Sequence, residues 1–329
     1  MAFVPATVAV IGAGAVGSYY GAKLARSGLD VTLVARPAHV AAIERDGLCV
    51  IEGGSEWRAR LRASTDSTAA AGADVVLVTV KTPDTTAAAS ALAGCVRSDA
   101  RIVSLQNGVD NAERIAAVLV NPVYASVVYV GVQMAGPGRV RHTGRGDLVM
   151  GVPRAFNARG DSDGDLRVIA AMFEKAGIPC PVSADIEAAL WTKLILNCAF
   201  NAVSALGDSP YGRMAASEPV RGVMETVVRE AVQVARAAGV NIDAEALVAT
   251  TWKLAASMPE QYSSTAQDMQ RGRATEIDAL NGYVAQRGVA LGVDAPVNRT
   301  LHALVKLREA TRSAGAQTSA GASGGSGSR

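Results

Sequence analysis

Short apolar runs rich in β-branched residues alternate with helical patterns over the first 120 residues. The first run, Val8 to Ile11, stops at GAGAVG; a helical pattern follows through Ser27, Gly28 ends it, and a second run starts at Val31. This is the order of a βαβ unit. Further runs predict strands at 75–80, 102–105, 124–130 and 148–152. The alternation predicts an α/β domain with a mostly parallel sheet and helices on both faces.

The pattern becomes helical after Pro179 and Pro181 and stays helical as far as residue 310. Prolines and glycines interrupt it where helices are expected to end, among them Pro259, Gly239 and Gly292. We therefore predict an α/β domain over 1–183 and an all-α domain over 184–310. Residues 311–329 are rich in Ser, Gly and Ala, which predicts a disordered tail.

The glycines at 12, 14 and 17 form the pattern G-x-G-x-x-G between a predicted strand and a predicted helix. In that context the first glycine makes the tight turn, the second lets the backbone approach a pyrophosphate, and the third lets helix and strand pack closely. A purely structural turn is the alternative. The pattern predicts a Rossmann-type dinucleotide-binding domain in which the backbone from Gly12 through Ala13, Gly14, Ala15 and Val16 to Gly17 contacts the cofactor.

The second predicted strand ends at Ala35 and Arg36, where NAD-preferring sites usually have a carboxylate. An arginine there can hold a 2′-phosphate with parallel hydrogen bonds, so we predict NADPH over NADH; a solvated surface arginine is the alternative. Lys81 and Asn107 also directly follow predicted strands, at the edge where such sheets bind ligands. Asn107 precedes Gly108, and a structural Asn-Gly turn is equally compatible with the pattern.

Composition excludes several classes of function. The 329 residues carry a formal charge of only +2, which excludes a strongly basic nucleic-acid surface. The four cysteines are scattered and there are only three histidines, so we expect free thiols and no metal site. The apolar runs are short or interrupted, so we predict no transmembrane segment and a cytoplasmic protein. Alanine-rich helices in the second domain would offer apolar surface for a homodimer.

A polar stripe runs along the apolar segment WTKLILNCAFNAVS. Lys193, Asn197 and Asn201 are spaced by four and share one face of a helix, whereas the neighbouring positions are apolar. Buried polar groups are costly unless they are satisfied, and a solvent-facing stripe fits poorly with apolar residues around the rest of the helix. A stripe that lines a cleft between the domains satisfies both facts, and a lysine there can serve as proton donor.

A second polar group lies in SSTAQDMQRGRATEIDALNG. Ser264 followed by Gln267 resembles a capping box, so a helix cap is a structural alternative for Ser264. Asp268 and Glu276 are two helical turns apart and are expected on one face. An acid opposite Lys193 would hold it charged and positioned.

Taken together, these motifs resemble the ketopantoate reductase family from Val8 to about residue 310. The matching pieces are GAGAVG, Arg36, Lys81, QNG at 106–108, VRHTGRG, the K-x-x-x-N-x-x-x-N helix and the SS-x-x-QD segment with its R-x-x-E-I-D continuation. The resemblance implies hydride transfer from NADPH to the C2 ketone of 2-dehydropantoate, giving pantoate for coenzyme A synthesis. It implies Lys193 as general acid with Glu276 beside it. It also implies substrate contacts from Asn107, Asn197, Asn201 and Ser264, and cofactor contacts from Lys81, Asn107, Ala135 and Glu276.

Two positions depart from the family pattern on the substrate side. Tyr211 and Gln261 stand where well-studied members have asparagines. A related reductase of another 2-oxo acid or of an imine is therefore a second hypothesis. A non-catalytic NADPH sensor is a third, although an intact Lys193 and Glu276 argue against it.

Overall fold

The computed structural model describes residues 3–154 and 162–322. The chain divides into two compact units, residues 1–190 and 191–329. This division falls a few residues after the boundary predicted at 183, because the first turn of a long helix that begins at Ile186 packs with the first unit.

The first unit contains one nine-stranded sheet. Its strands are β1 (Thr7–Ile11), β2 (Asp30–Val34), β3 (Leu48–Glu52), β4 (Ser55–Ala59), β5 (Arg62–Ser64), β6 (Val75–Val78), β7 (Arg101–Ser104), β8 (Val123–Met134) and β9 (Arg139–Gly151). Their spatial order is β4-β3-β9-β8-β7-β6-β1-β2-β5. In the spatial run β8-β7-β6-β1-β2-β5, each strand is parallel to its neighbours. The pairs β8 with β9 and β3 with β4 are antiparallel. The prediction of a mostly parallel sheet is confirmed.

Helices cover both faces of this sheet, as predicted. They are α1 (Ala15–Arg26), α2 (Pro37–Asp46), α3 (Thr85–Ala93), α4 (Asn111–Ala116) and α5 (Ser162–Lys175). Successive side chains of a strand point to opposite faces, so Val8 and Val10 join the core beneath α1 and α5. Ala9 and Ile11 join a second core beneath α3 and α4. Burial on both faces explains why these strands read as continuous apolar runs.

Strands β3, β4, β5 and the first half of β9 were not predicted. Strand β3 contains an apolar run, Leu48 to Ile51, which was overlooked. The other strands are short or carry charged residues at alternate positions, so no apolar run marks them. The connection from β3 to β4 is Gly53-Gly54, with both glycines at positive φ (59° and 81°). A two-glycine link is a recognised hairpin signal, and it was the clue available in the sequence.

The second unit is helical throughout its described part. Its helices are α6 (Ile186–Gly207), α7 (Tyr211–Ala216), α8 (Glu218–Ala237), α9 (Ala244–Ser257), α10 (Ser264–Gln270), α11 (Asn281–Leu291) and α12 (Pro296–Ala322). The predicted helix ends are confirmed: Gly239 follows α8 at φ 83°, Gly292 caps α11 in the left-handed conformation, and Pro259 follows the end of α9.

The predicted disordered tail begins too early. Helix α12 continues to Ala322, so residues 311–322 are helical, and the rest of the predicted tail lies outside the described residues. Alanine and glutamine favour helix, and extending an established helix costs far less than starting one.

One described helix, Ile186–Gly207, is long and apolar enough to cross a membrane by length and composition alone. In its most apolar window 61 % of the residues are buried inside the protein. The core helix of a globular protein passes the same test.

Candidate active site

The glycine-rich loop connects the end of β1 to the start of α1. A Cβ at Gly12 would lie 2.9 Å from the Cα of Val80, and Gly12 has φ +80°. A Cβ at Gly17 would overlap the Thr79 hydroxyl and lie 2.8 Å from Val10 Cγ1. At Gly14, in contrast, the nearest atom would be the Gly12 carbonyl oxygen at 3.8 Å. Gly12 and Gly17 are therefore required for packing, whereas Gly14 keeps space open beside the backbone, as a dinucleotide pyrophosphate requires.

Backbone hydrogen bonds hold this loop in place. The N–H groups of Gly12 and Ala13 both donate to the Val34 carbonyl, at 3.0 and 2.9 Å. The Thr79 hydroxyl lies 3.0 Å from both the Ile11 and Gly12 carbonyls. The loop is fixed between three neighbouring strands before any ligand binds, which lowers the entropic cost of binding. These residues fit a nicotinamide dinucleotide.

Arg36 lies at the carboxyl end of β2 as the N-cap residue of α2. Its side chain is exposed, and among the described residues it forms neither an ion pair nor a hydrogen bond. An exposed guanidinium in this position can bind a phosphate without first breaking an ion pair. Its role in binding a 2′-phosphate stays a prediction.

The loops that carry Lys81 and Asn107 are tied to each other. The Thr82 hydroxyl donates to the Asn107 carbonyl at 2.8 Å. Gln106 is buried, and its amide nitrogen donates to the Val80 carbonyl at 3.0 Å and to Thr85 Oγ1 at 2.7 Å. The two loops therefore hold Lys81, which is exposed, and Asn107, which is half-buried, at one edge of the sheet. The role of Gln106 was not predicted; its clue in the sequence is an amide between a buried strand and Asn-Gly.

Ala135 lies in the turn between β8 and β9. Its N–H donates to the Arg139 carbonyl at 3.0 Å, and the residue is exposed. The same turn contacts α2, because a Cβ at Gly138 would lie 2.9 Å from the Ala42 side chain. The contact of Ala135 with the cofactor stays a prediction.

The polar stripe of the second unit lies on α6, as predicted. Lys193 and Asn197 are half-exposed, whereas Asn201 is 2 % exposed and Ser204 is fully buried. The Asn197 side chain forms no hydrogen bond within the described part of the chain. The stripe therefore has an accessible end, with a lysine and an available amide, and a buried end.

Asn201 connects α6 to the start of α10. Its Oδ1 accepts hydrogen bonds from Ser264 Oγ at 3.0 Å, from the Thr265 N–H at 3.1 Å and from Thr265 Oγ1 at 2.9 Å. Its Nδ2 donates to the Asn197 carbonyl at 3.0 Å. The amide is thus engaged with protein groups. The substrate contact that the resemblance implies for Asn201 stays a prediction, and the geometry favours an anchoring role.

Ser263, and not Ser264, caps helix α10. The Ser263 hydroxyl accepts a hydrogen bond from the Ala266 N–H at 3.1 Å and donates to the Asn201 carbonyl at 3.3 Å. The capping-box reading of Ser264 is therefore wrong by one residue: with two adjacent serines the spacing alone did not distinguish them. Ser264 is exposed and directed by Asn201, so its hydroxyl remains accessible.

Glu276 is not on a helix with Asp268, contrary to expectation. Helix α10 ends at Gln270, Gly272 follows at φ +65°, and Glu276 directly precedes a short 3-10 helix, Ile277–Ala279. Fully buried Asn281 ties this segment to α6, since its Nδ2 donates to the Cys198 carbonyl at 3.1 Å. Glu276 is thereby held on the second unit beside the helix that carries Lys193, and it is half-buried.

Tyr211 and Gln261, the two departures from the family pattern, are paired through the backbone. The Tyr211 N–H donates to the Gln261 carbonyl at 3.0 Å. The Tyr211 ring stacks on Phe200 of α6, with ring centroids 4.1 Å apart, and burial raises the pKa of Tyr211 to about 12. Gln261 is exposed. Phe200 lies two helical turns after Lys193, on nearly the same face of α6.

No group of His, Cys, Asp and Glu residues suited to a metal ion occurs in the described ranges. The four cysteines are free thiols, as expected.

Two family models cover most of the chain. The model described as ketopantoate reductase PanE/ApbA matches residues 8–155, and its C-terminal counterpart matches residues 185–309. A protein from Halobacterium salinarum described as 2-dehydropantoate 2-reductase is 36 % identical over 309 residues, covering 92 % of this chain and 98 % of that protein.

Solved structures agree with this assignment. A PanE/ApbA family ketopantoate reductase from Ralstonia eutropha JMP134 superposes with a TM-score of 0.85 at 47 % identity, covering 93 % of this chain and 99 % of the other. A D-mandelate dehydrogenase solved with NADH and anilino(oxo)acetate has a TM-score of 0.86 at 23 % identity over 93 % of this chain and 98 % of the other, which shows a shared fold. The chain therefore belongs to the ketopantoate reductase family and is an oxidoreductase of the class that acts on CH–OH groups.

Proposed function

We propose that the protein uses NADPH to reduce the C2 ketone of 2-dehydropantoate, giving (R)-pantoate for pantothenate and coenzyme A synthesis. Family membership supports the use of a nicotinamide dinucleotide, and the relatives named 2-dehydropantoate 2-reductase support the substrate. The observation that carries the proposal is the accessible end of the α6 stripe. There Lys193 and Asn197 are half-exposed one helical turn apart.

In the proposed reaction Lys193 is the general acid. When bound, NADPH supplies the hydride that adds to C2. The electron pair of the carbonyl bond moves to the oxygen, which takes a proton from the Lys193 ammonium, and solvent then reprotonates the lysine. Glu276, held beside α6 through Asn281, keeps this ammonium positioned. The Asn197 amide and the Ser264 hydroxyl bind the substrate's carboxylate and hydroxyl, and Asn107 is proposed to contact both substrate and cofactor.

The preference for NADPH rests on Arg36. We expect Arg36→Ala to weaken NADPH binding by about tenfold or more, the usual effect of losing charge-assisted hydrogen bonds, and to leave NADH binding nearly unchanged. Arg45→Ala, at the other end of α2, is the matched control because Arg45 pairs with Asp46 on the surface. If Arg36→Ala lost the same affinity for NADPH as for NADH, Arg36 would not bind the 2′-phosphate.

The experiment that tests the proposed function is a panel of substrates and cofactors. Purified protein is assayed for NADPH and NADH oxidation with 2-dehydropantoate, with several other 2-oxo acids and with an imine. The proposal predicts the highest kcat/KM for 2-dehydropantoate with NADPH. Tight NADPH binding without turnover of any oxo acid would support the sensor hypothesis instead.

A second candidate is reduction of another 2-oxo acid, and the Phe200–Tyr211 stack favours it. Phe200 is buried and supports the Tyr211 ring, which is half-buried and offers the apolar edge of an aromatic ring where the family pattern has an amide. An apolar or aromatic group on the oxo acid would gain from contact with it. This candidate predicts that an aromatic 2-oxo acid is turned over faster than 2-dehydropantoate, and that Tyr211→Asn reverses the order.

We also propose a cytoplasmic location and a homodimer, without nucleic-acid or membrane partners. Sedimentation equilibrium of the purified protein tests the dimer, and a mass equal to the monomer's 33.7 kDa would contradict it.

A further inference from the structure

His39 is a buried histidine that the proposed reaction does not use. It lies in the first turn of α2, three residues after Arg36, and is only 6 % exposed. Both ring nitrogens are engaged. The Gly138 N–H donates to Nδ1 at 2.8 Å, and Nε2 lies 2.9 Å from the Ser18 hydroxyl.

These partners define the tautomer. A backbone N–H can only donate, so Nδ1 must be unprotonated, and the neutral ring carries its proton on Nε2. Nε2–H therefore donates to Ser18 Oγ. The Ser18 hydroxyl in turn donates to the Ala13 carbonyl at 3.3 Å. Burial lowers the pKa of His39, which favours this neutral form.

The relay from Gly138 through His39 and Ser18 to Ala13 joins four parts of the first unit. Gly138 belongs to the turn between β8 and β9, His39 to α2, Ser18 to α1, and Ala13 to the glycine-rich loop. Arg36 belongs to the same helix turn as His39, because the backbone N–H groups of His39 and Val40 donate to the Arg36 carbonyl at 3.0 and 3.1 Å. One side chain thus connects the loop suited to a pyrophosphate with the helix turn that carries Arg36.

We propose that His39 is a positioning residue that couples the glycine-rich loop to the Arg36 end of α2, and that this coupling sets the affinity for the 2′-phosphorylated cofactor. The inference rests on the proposed use of NADPH. In the coupled state the Ala13 carbonyl is held by Ser18, and the backbone at Arg36 is held against α1. Cofactor binding then meets a preorganised site.

The test separates the two hydrogen bonds of the imidazole. In His39→Gln the amide nitrogen replaces Nε2 and can donate to Ser18. In His39→Asn the shorter amide can accept from the Gly138 N–H but does not reach Ser18. Ser18→Ala removes the other end of the same bond, and alanine is favourable inside α1. Dissociation constants for NADPH and NADH are measured by fluorescence titration, together with melting temperature and kcat at saturating NADPH.

The proposal predicts that His39→Asn and Ser18→Ala each weaken NADPH binding by about tenfold, the usual effect of losing one buried hydrogen bond, and weaken NADH binding less. His39→Gln should stay within about threefold of the natural protein, and the double variant His39→Asn/Ser18→Ala should be no worse than either single one. kcat at saturation should hardly change. If His39 served packing alone, its variants would have a lower melting temperature, but His39→Gln and His39→Asn would not differ in NADPH affinity.

The proposal is overturned if His39→Asn binds NADPH as the natural protein does, if Gln and Asn lose affinity equally, or if the losses for NADPH and NADH are equal. If His39→Gln does not fold, the NADPH and NADH affinities of Ser18→Ala and of the double variant still test the proposal. Failure of the proposed cofactor preference is distinguishable, because the natural protein itself would then bind NADH as tightly as NADPH.

Discussion

Replacing Asn201 by alanine tests whether this side chain anchors α10 or binds substrate. Asn201 is 2 % exposed, and its Oδ1 accepts three hydrogen bonds from residues 264 and 265. Two of the three donors, the N–H and hydroxyl of Thr265, belong to a residue that is itself 2 % exposed. Truncation therefore leaves two buried donors without a partner, whereas the exposed Ser264 hydroxyl can turn to water.

An orphaned buried donor costs about 1–3 kcal/mol. Two of them cost about 2–6 kcal/mol, and the better helix propensity of alanine returns roughly 0.5 kcal/mol. We expect Asn201→Ala to lower the free energy of unfolding by about 2–5 kcal/mol. Asn197→Ala, one turn earlier on the same helix, is the matched control. Its amide is half-exposed and forms no hydrogen bond with a described residue. Asn197→Ala should therefore change the free energy of unfolding by no more than about 0.5 kcal/mol.

The assay is urea unfolding followed by tryptophan fluorescence, since two of the three tryptophans, Trp191 and Trp252, belong to the second unit. Steady-state kinetics on the same variants give KM and kcat. The anchoring role predicts a large loss of stability in Asn201→Ala. In Asn197→Ala it predicts a raised KM and no large loss of stability. If Asn201→Ala lost less than about 1 kcal/mol of stability but most of its activity, Asn201 would be a substrate ligand and the anchoring argument would be wrong.

Two further predictions concern the cofactor loop and acid stability. Gly14→Ala should leave the melting temperature unchanged, because its Cβ enters open space, yet weaken NADPH binding by about tenfold or more; Gly17→Ala, whose Cβ would overlap Thr79, should lose stability as well. Calorimetry with NADPH titration checks both, and normal NADPH affinity in Gly14→Ala would refute the loop assignment. Burial raises the pKa of Asp278, but hydrogen bonds from His302 and Lys306 outweigh it and hold that pKa below its usual range. Its ion pairs therefore stabilise the fold above the unfolded pKa of about 4 and lose this effect as the pH falls through the lower folded value. The stability gap between the natural protein and Asp278→Asn should close on acidification, and a constant gap from pH 7 to pH 3 would contradict the argument.

Local patterns were sufficient where one segment determines the outcome. The βαβ unit at the N-terminus, the glycine-rich loop and the helix ends at Gly239 and Gly292 were all predicted, because each depends on periodicity or on a backbone conformation that glycine adopts. The stripe on α6 was likewise predicted from its spacing of four. These features do not depend on partners far away in the chain.

Features that depend on distant partners were not predictable in the same way. Asn197 and Asn201 look equivalent in the sequence, and only contacts with residues more than sixty positions away bury one of them. Ser263 and Ser264 are likewise separated by their contacts with α6 and not by their spacing. Nothing in the linear pattern marks His39, since Gly138, its partner, lies 99 positions further along the chain. Each polar residue acquires its role from a bond that the linear pattern does not contain.

The most direct test of the account compares the natural protein with Lys193→Ala in NADPH oxidation driven by 2-dehydropantoate, with NADPH binding measured on both. The account predicts turnover by the natural protein, a kcat lowered by about 10²–10⁴-fold in the variant, as for a lost general acid, and nearly equal NADPH affinities. A variant that keeps near-normal kcat would contradict the role of Lys193 and, with it, the catalytic reading of the α6 stripe.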